Sequence, residues 1–105
     1  MLDVPFRSAT RLAAMIRKRT IGCLELLDLY VARIERYNPK LNAVIAMDVE
    51  GARRRARAAD RALAKKTARG PLHGVPMTIK ESYDVVGMPT TWGVPAHKDN
   101  YPERN

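Results

Sequence analysis

A chain of 105 residues has room for one small domain, and its 46% apolar content is ordinary for a folded protein and too high for a disordered tail. Nineteen Lys and Arg against eleven Asp and Glu leave a net charge of +8, and the single cysteine, Cys23, excludes both an internal disulfide framework and a self-contained cysteine-rich zinc site. No apolar run approaches the roughly 18 residues that cross a bilayer, and the start lacks the basic-then-apolar order of a secretory signal, so no membrane partner and a cytoplasmic setting are expected.

Three helices come first. Ser8 or Thr10 can cap a helix in which Leu12, Met15 and Ile16 recur at i, i+3 and i+4. It should end near Lys18 and Arg19, whose cations suit the negative end of the helix dipole. Thr20 offers the cap of a second helix, with Leu24, Leu27, Val31 and Ile34 as its stripe, widened by Cys23, Tyr30 and Tyr37. Asn38-Pro39 should stop it, because proline has no amide hydrogen and constrains the residue before it. The apolar run Asn42 to Met47, bounded by turn residues, reads as a buried strand. Asp48 can cap a third helix running to about Thr67, with Ala52, Ala56, Ala59 and Leu63 along one side. Alanine and arginine favour that helix, although so small a stripe buries little area per turn.

The excess charge is concentrated on this third helix. From Arg53 to Arg69, the cations Arg53, Arg54, Arg55, Arg57, Arg61, Lys65, Lys66 and Arg69 are opposed only by Asp60. A nucleic-acid binder would commonly add aromatic or amide side chains for base contact, and this helix has none. A solvated face is the plainer reading, and nucleic acid is not an expected partner. A non-catalytic basic binding module stays as an alternative outside enzymology.

The character changes at Gly70. Gly70-Pro71, Gly74-Val75-Pro76, Gly87-Met88-Pro89 and Gly93-Val94-Pro95 punctuate the rest of the chain, and between them Met77-Thr-Ile-Lys80 alternates like a strand that delivers a lysine at its end. The division is therefore one partial domain over 1–105, with a helical region holding one strand at 1–69 and a lysine-strand and loop region at 70–105. A lysine held against apolar surroundings can serve as a base. The more ordinary outcome is a strand-end lysine with its head in water.

The stretch Gly70-Pro-Leu-His-Gly-Val-Pro-Met-Thr-Ile-Lys-Glu-Ser-Tyr-Asp-Val85 resembles the lysine segment of the amidase signature family, which runs G-P-L-H-G-V-P-x-x-I-K-D, with Glu81 standing where aspartate is usual. Met88-Pro-Thr-Thr-Trp-Gly93 is similar to the family's G-x-x-T-T-x-G continuation, with Val94 where a small residue often follows. Upstream, Leu24 to Ala46 resembles the helix, turn and first strand common at these N-termini. The resemblance implies an α/β fold, a mixed sheet with helices on both sides, of which this chain would supply three helices and two strands. It also implies a Ser–Ser–Lys triad acting on a small-molecule carboxamide without cofactor or metal. One serine attacks the carbonyl, a second on a cis peptide relays the proton, and the lysine, here Lys80, is the final base. Backbone amides of a glycine-rich loop would hold the oxyanion.

Only Ser8 and Ser82 are present, and neither matches the family's relay or nucleophilic serine. The chain therefore reads as the N-terminal fragment of an amidase, inactive alone. An A-type subunit of a glutamine-dependent tRNA amidotransferase is the alternative within the same family. Ser82 is expected in a turn, His73 as a turn-orienting hydrogen-bonding group, His97 exposed, Cys23 buried and inert, and Trp92 packed. Exposed strand edges would leave the fragment open to aggregation or to pairing as a homodimer.

Overall fold

The computed structural model describes residues 3–105. After a single 3-10 turn at Val4–Phe6 come α1 (Ala9–Arg17), α2 (Cys23–Leu41) and α3 (Val49–Ala64), and a second 3-10 turn lies at Pro95–His97. Ser8 caps α1: its hydroxyl accepts the Arg11 amide at 3.2 Å. The far end closes with Thr20 N–H on the Met15 carbonyl and Arg19 N–H on that of Ile16, both at 2.9 Å. Arg19 adopts the left-handed φ of 57° that this closure requires.

The start of α2 departs from expectation. Its N-cap is Gly22 rather than Thr20, and glycine has no side chain with which to satisfy the first free amides. A residue from another helix does so. Asp60, in α3, takes the Cys23 amide on Oδ1 at 2.7 Å and the Leu24 amide on Oδ2 at 3.1 Å, while the Glu25 carboxylate accepts the Gly22 amide at 3.2 Å. The other end also differs, because α2 runs through Pro39 to Leu41. Proline in the last turn removes one intrahelical donor, yet Asn42 N–H still reaches the Asn38 carbonyl at 2.7 Å and Asn42 turns the chain out with φ 48°. The buried face of α2 is centred on Cys23, Leu26 and Val31, so Leu26 takes the place expected of Leu24 and Leu27, which are half-buried.

Asp48 caps α3 as expected, its Oδ1 accepting the Gly51 amide at 2.9 Å, and the helix ends at Ala64, short of Thr67. Ala56, Ala59 and Leu63 pack on a core of Val4, Leu12, Ile16, Ile21, Cys23 and Leu26, together with Met15, Leu29, Tyr30 and Val75. The small alanines let α3 lie close to α2, and Arg53 clamps the pair by bonding Asp28 of α2 at 2.8 Å and Glu50 at 2.9 Å. No helix among the described residues is long and apolar enough to cross a membrane.

The two expected strands are not formed: among the described residues the architecture is three helices joined by turns and extended segments. A strand exists only through its neighbour's backbone, and none lies beside 42–47 or 77–80. At the first segment the Asn38 side chain substitutes for a neighbour, donating to the Val44 carbonyl at 2.8 Å and accepting its amide at 2.9 Å. The apolar side chains of both segments face solvent, with Ile45, Met47, Met77 and Ile79 all exposed.

The cap supplied across helices has a measurable consequence. Burial works to raise the Asp60 pKa, but the amides of Cys23 and Leu24 and the Cys23 thiol outweigh it, and the net shift is downward. A carboxylate depressed in the folded state stabilises the fold above its unfolded value, about 3.9, and loses that contribution as pH falls through the lower folded value. Asp60→Ala is expected to cost about 2 kcal/mol at neutral pH, from two amides left unbonded at a helix start. In urea melts the gap between the two proteins should narrow as the pH is taken below about 4. A gap unchanged across that range would show that Asp60 acts through packing alone.

Candidate active site

The Gly70–Pro76 segment is seated on the helical core by four contacts. Arg17 of α1 donates to the Pro71 carbonyl at 3.1 Å. The His73 ring spans two backbones: its Nδ1 accepts the Arg69 amide at 2.9 Å, and its Nε2 lies 2.9 Å from the Ala59 carbonyl of α3. Only the neutral ring with the proton on Nε2 serves both partners. His73 thus orients the turn, as the sequence suggested. Val75 packs into the core, and Gly74 rests on the thiol of Cys23.

That last contact is tight. Gly74 has a φ of +78°, and a Cβ built on it would fall 2.3 Å from Cys23 Sγ. Cys23 itself is fully buried, and its pKa is pushed up to about 12 by burial, by its hydrogen bond to Asp60 and by that residue's charge. A thiol so firmly protonated is a packing element, inert as a nucleophile.

Beyond the docked turn, Met77 to Lys80 runs extended and exposed, and Lys80 is exposed at its end. The Lys80 carbonyl accepts the Tyr83 amide at 3.0 Å, which closes a tight turn with Ser82 in its third position. Among the described residues, no hydrogen bond joins the Lys80 amine to either serine; Ser8 is occupied at the head of α1. The cleft of about 190 Å³ lined by Arg19, Gly22, Asp60 and Leu63 and that of about 220 Å³ lined by Tyr30, Arg33, Tyr37 and Val44 both lie away from Lys80.

Glu81, next to Lys80, is the best-bonded carboxylate of this region. It accepts the Thr91 amide, the Thr91 hydroxyl at 2.8 Å and the Trp92 amide at 2.8 Å. The Thr91 amide and hydroxyl, followed by the Trp92 amide and the charge of Lys80, outweigh desolvation and hold its pKa below the usual range. The loop it grips is closed from the other side, where the Thr90 amide reaches the Asn100 carbonyl at 2.8 Å and the Asn100 side chain returns to the Thr90 carbonyl at 2.9 Å. The structure therefore brings Lys80, Glu81, Thr91 and Trp92 together. Trp92 is exposed rather than packed, at 69%, and His97 is exposed as expected.

Two of these contributors are not announced by the sequence. Asp60 is visible there only as the one acid in the basic stretch from Arg53 to Arg69, and Glu81 only as a substitution within a motif. Neither cue names a partner 36 or 10 residues away.

The chain matches the Amidase family over residues 25–105 and belongs to it. It is 45% identical over 92 residues to indoleacetamide hydrolase from Bradyrhizobium diazoefficiens, an alignment that covers 88% of this chain and 18% of that protein. It is 40% identical over 93 residues to the A-type subunit of glutamyl-tRNA(Gln) amidotransferase from Acidothermus cellulolyticus (89% of this chain, 18% of that one) and 33% identical over 99 residues to human fatty-acid amide hydrolase 2 (88% and 19%). It spans less than a fifth of the length of these relatives.

Proposed function

We propose that this chain is the lysine-bearing part of an amidase-type hydrolase that cleaves carboxamide C–N bonds, with Lys80 as the final proton acceptor. The observation that carries this is the placement of Lys80. It follows the turn locked onto the core by His73 and Gly74, within the matched Amidase region. In the reaction a serine oxygen attacks the amide carbonyl and passes its proton through a second serine to the amine of Lys80. Collapse of the tetrahedral intermediate returns that proton to the departing nitrogen and leaves an acyl-enzyme, which water then hydrolyses. The Ser8 hydroxyl caps α1 and Ser82 lies in the turn that follows Lys80, so this reading assigns neither of them as a reacting serine. In the whole enzyme the extended segments 42–47 and 77–80 pair as strands of the mixed sheet of an α/β fold, and the setting is cytoplasmic.

The test is a graft. Residues 25–105, the stretch matched by the Amidase family, replace the corresponding part of indoleacetamide hydrolase, to which the chain is 45% identical over 92 residues. A graft that hydrolyses phenylacetamide, alongside a 105-residue chain that does not, is the expected pair of results. A folded but inactive graft would overturn the proposal. A second reading, an A-type amidotransferase subunit releasing ammonia from glutamine, is favoured by the 40% identity to a protein of that type. It assigns Lys80 the same task and is separated by a graft onto the amidotransferase, assayed with glutamine.

A further inference from the structure

Lys80 opens a turn that is tied to the rest of the chain through one side chain. The Tyr83 amide closes on the Lys80 carbonyl at 3.0 Å, and among the described residues the side-chain hydrogen bonds that leave residues 80–83 all come from Glu81. Its two oxygens take different partners. Oε1 accepts the Thr91 amide and, at 2.8 Å, the Thr91 hydroxyl, while Oε2 accepts the Trp92 amide at 2.8 Å. Consecutive amides on the two oxygens of one carboxylate fix its orientation as well as its position. The receiving loop is firm in its own right. The Thr91 hydroxyl accepts the Gly93 amide at 3.3 Å, the Thr91 carbonyl accepts the Val94 amide at 2.9 Å, and Asn100 holds Thr90 from behind. It is also held against a local preference. Trp92 keeps a φ of +54°, a left-handed value costly to a bulky residue, and such strain persists only where surrounding bonds over-determine the backbone.

We propose that Glu81 is a positioning residue for Lys80, fastening the lysine-bearing turn to the loop from Thr90 to Val94 so that the amine stands in one place for proton transfer. The inference rests on the hydrolase reading above and deepens it by saying what holds the base. Proton transfer needs the base within hydrogen-bond reach, and a displacement of about 1 Å can cost a hundredfold in rate. A turn with a single backbone bond does not supply that precision, whereas one anchored by a carboxylate with three donors does. Glu81 is not a rival base, because the same donors occupy its oxygens and hold its pKa below the usual range.

The test pairs a spectrum with a rate. Glu81→Gln keeps the length of the side chain and turns one oxygen into an NH2 group, which cannot accept an amide hydrogen. In the 105-residue chain the core closes among residues 4 to 75, so the helical circular dichroism should be retained. The amide proton resonances of Thr91 and Trp92 should move upfield, while that of Gly51, bonded to Asp48, stays. In the graft the same substitution should lower kcat about tenfold and hold KM within about twofold, since only the placement of the base is lost. Unmoved Thr91 and Trp92 resonances would overturn the proposal, as would an active graft in which kcat is unchanged or KM rises as much as kcat falls. Should Glu81→Gln lose its helical signal, Thr91→Val decides by the same split: it spares Glu81, removes one donor and should cost about threefold in kcat. A graft inactive with Glu81 in place, together with resonances that respond to the substitution, would overturn the hydrolase reading and leave the fastening standing.

Discussion

Lys80→Met in the grafted hydrolase is expected to lower kcat by at least about a thousandfold with little change in KM. Methionine keeps the length and apolar contacts of the lysine stem and loses only the group that can take a proton. Loss of the final base leaves the attacking serine a neutral alcohol, a poor nucleophile toward an amide. Binding of the substrate draws on other contacts, so KM should hold. The matched control is Ser82→Ala. That serine occupies the third position of the turn closed by the Lys80 carbonyl and the Tyr83 amide, and its removal should alter kcat by no more than about threefold. A fall below tenfold for Lys80→Met, or a loss on Ser82→Ala comparable to it, would take the proton acceptor away from Lys80.

The largest expected effect on stability comes from one methyl group. Gly74→Ala imposes a side chain at φ +78° and drives its Cβ to 2.3 Å from Cys23 Sγ. The conformational strain costs about 1–2 kcal/mol and the overpacking about 1–3 kcal/mol. The clash cannot be relieved by a flexible tip, because the cysteine Cβ is itself only 3.3 Å away and Ile16 Cδ1 3.5 Å. A combined loss of about 2–5 kcal/mol lowers the melting temperature by more than about 8 °C in a domain of this size. The two causes separate in a double-mutant cycle. Cys23→Ala removes the sulfur and spares the backbone, so Gly74→Ala should cost less in that background by about 1 kcal/mol or more. Strict additivity would show that the φ alone carries the penalty.

Local chemistry explains which parts of this molecule could be read from sequence. Ser8 and Asp48 were legible because a cap acts on an amide three residues away, and His73 was legible as a turn residue because its motif is contiguous. Cys23 was legible too, since its neighbours on the helix are apolar. The start of α2 was not: its cap arrives from Asp60, and no local cue at Thr20 or Gly22 announces it. Pro39 misled for the opposite reason, because a local prohibition was outweighed by the closure of Asn42 on Asn38 at the helix end. The two strands were expected from apolar pattern, which specifies burial without supplying the neighbour that burial requires. Lys80 was legible only through the motif around it, and the bonds from Glu81 to Thr91 and Trp92 only in three dimensions.

The unpaired segments also bear on how the chain is made. Synthesis runs from the N-terminus, and the core closes among residues 4 to 75, so it can assemble on the ribosome once Val75 has emerged. At that moment Ile45 and Met47 stand uncovered beside a finished helical cluster, with Met77 and Ile79 about to join them. Such an intermediate is sticky at two short sites and firm elsewhere, the pattern that a holding chaperone recognises. The outer side of α3 works the other way: Arg54, Arg55, Arg57 and Arg61 are exposed there, and like charge displayed on one face favours solubility over self-association.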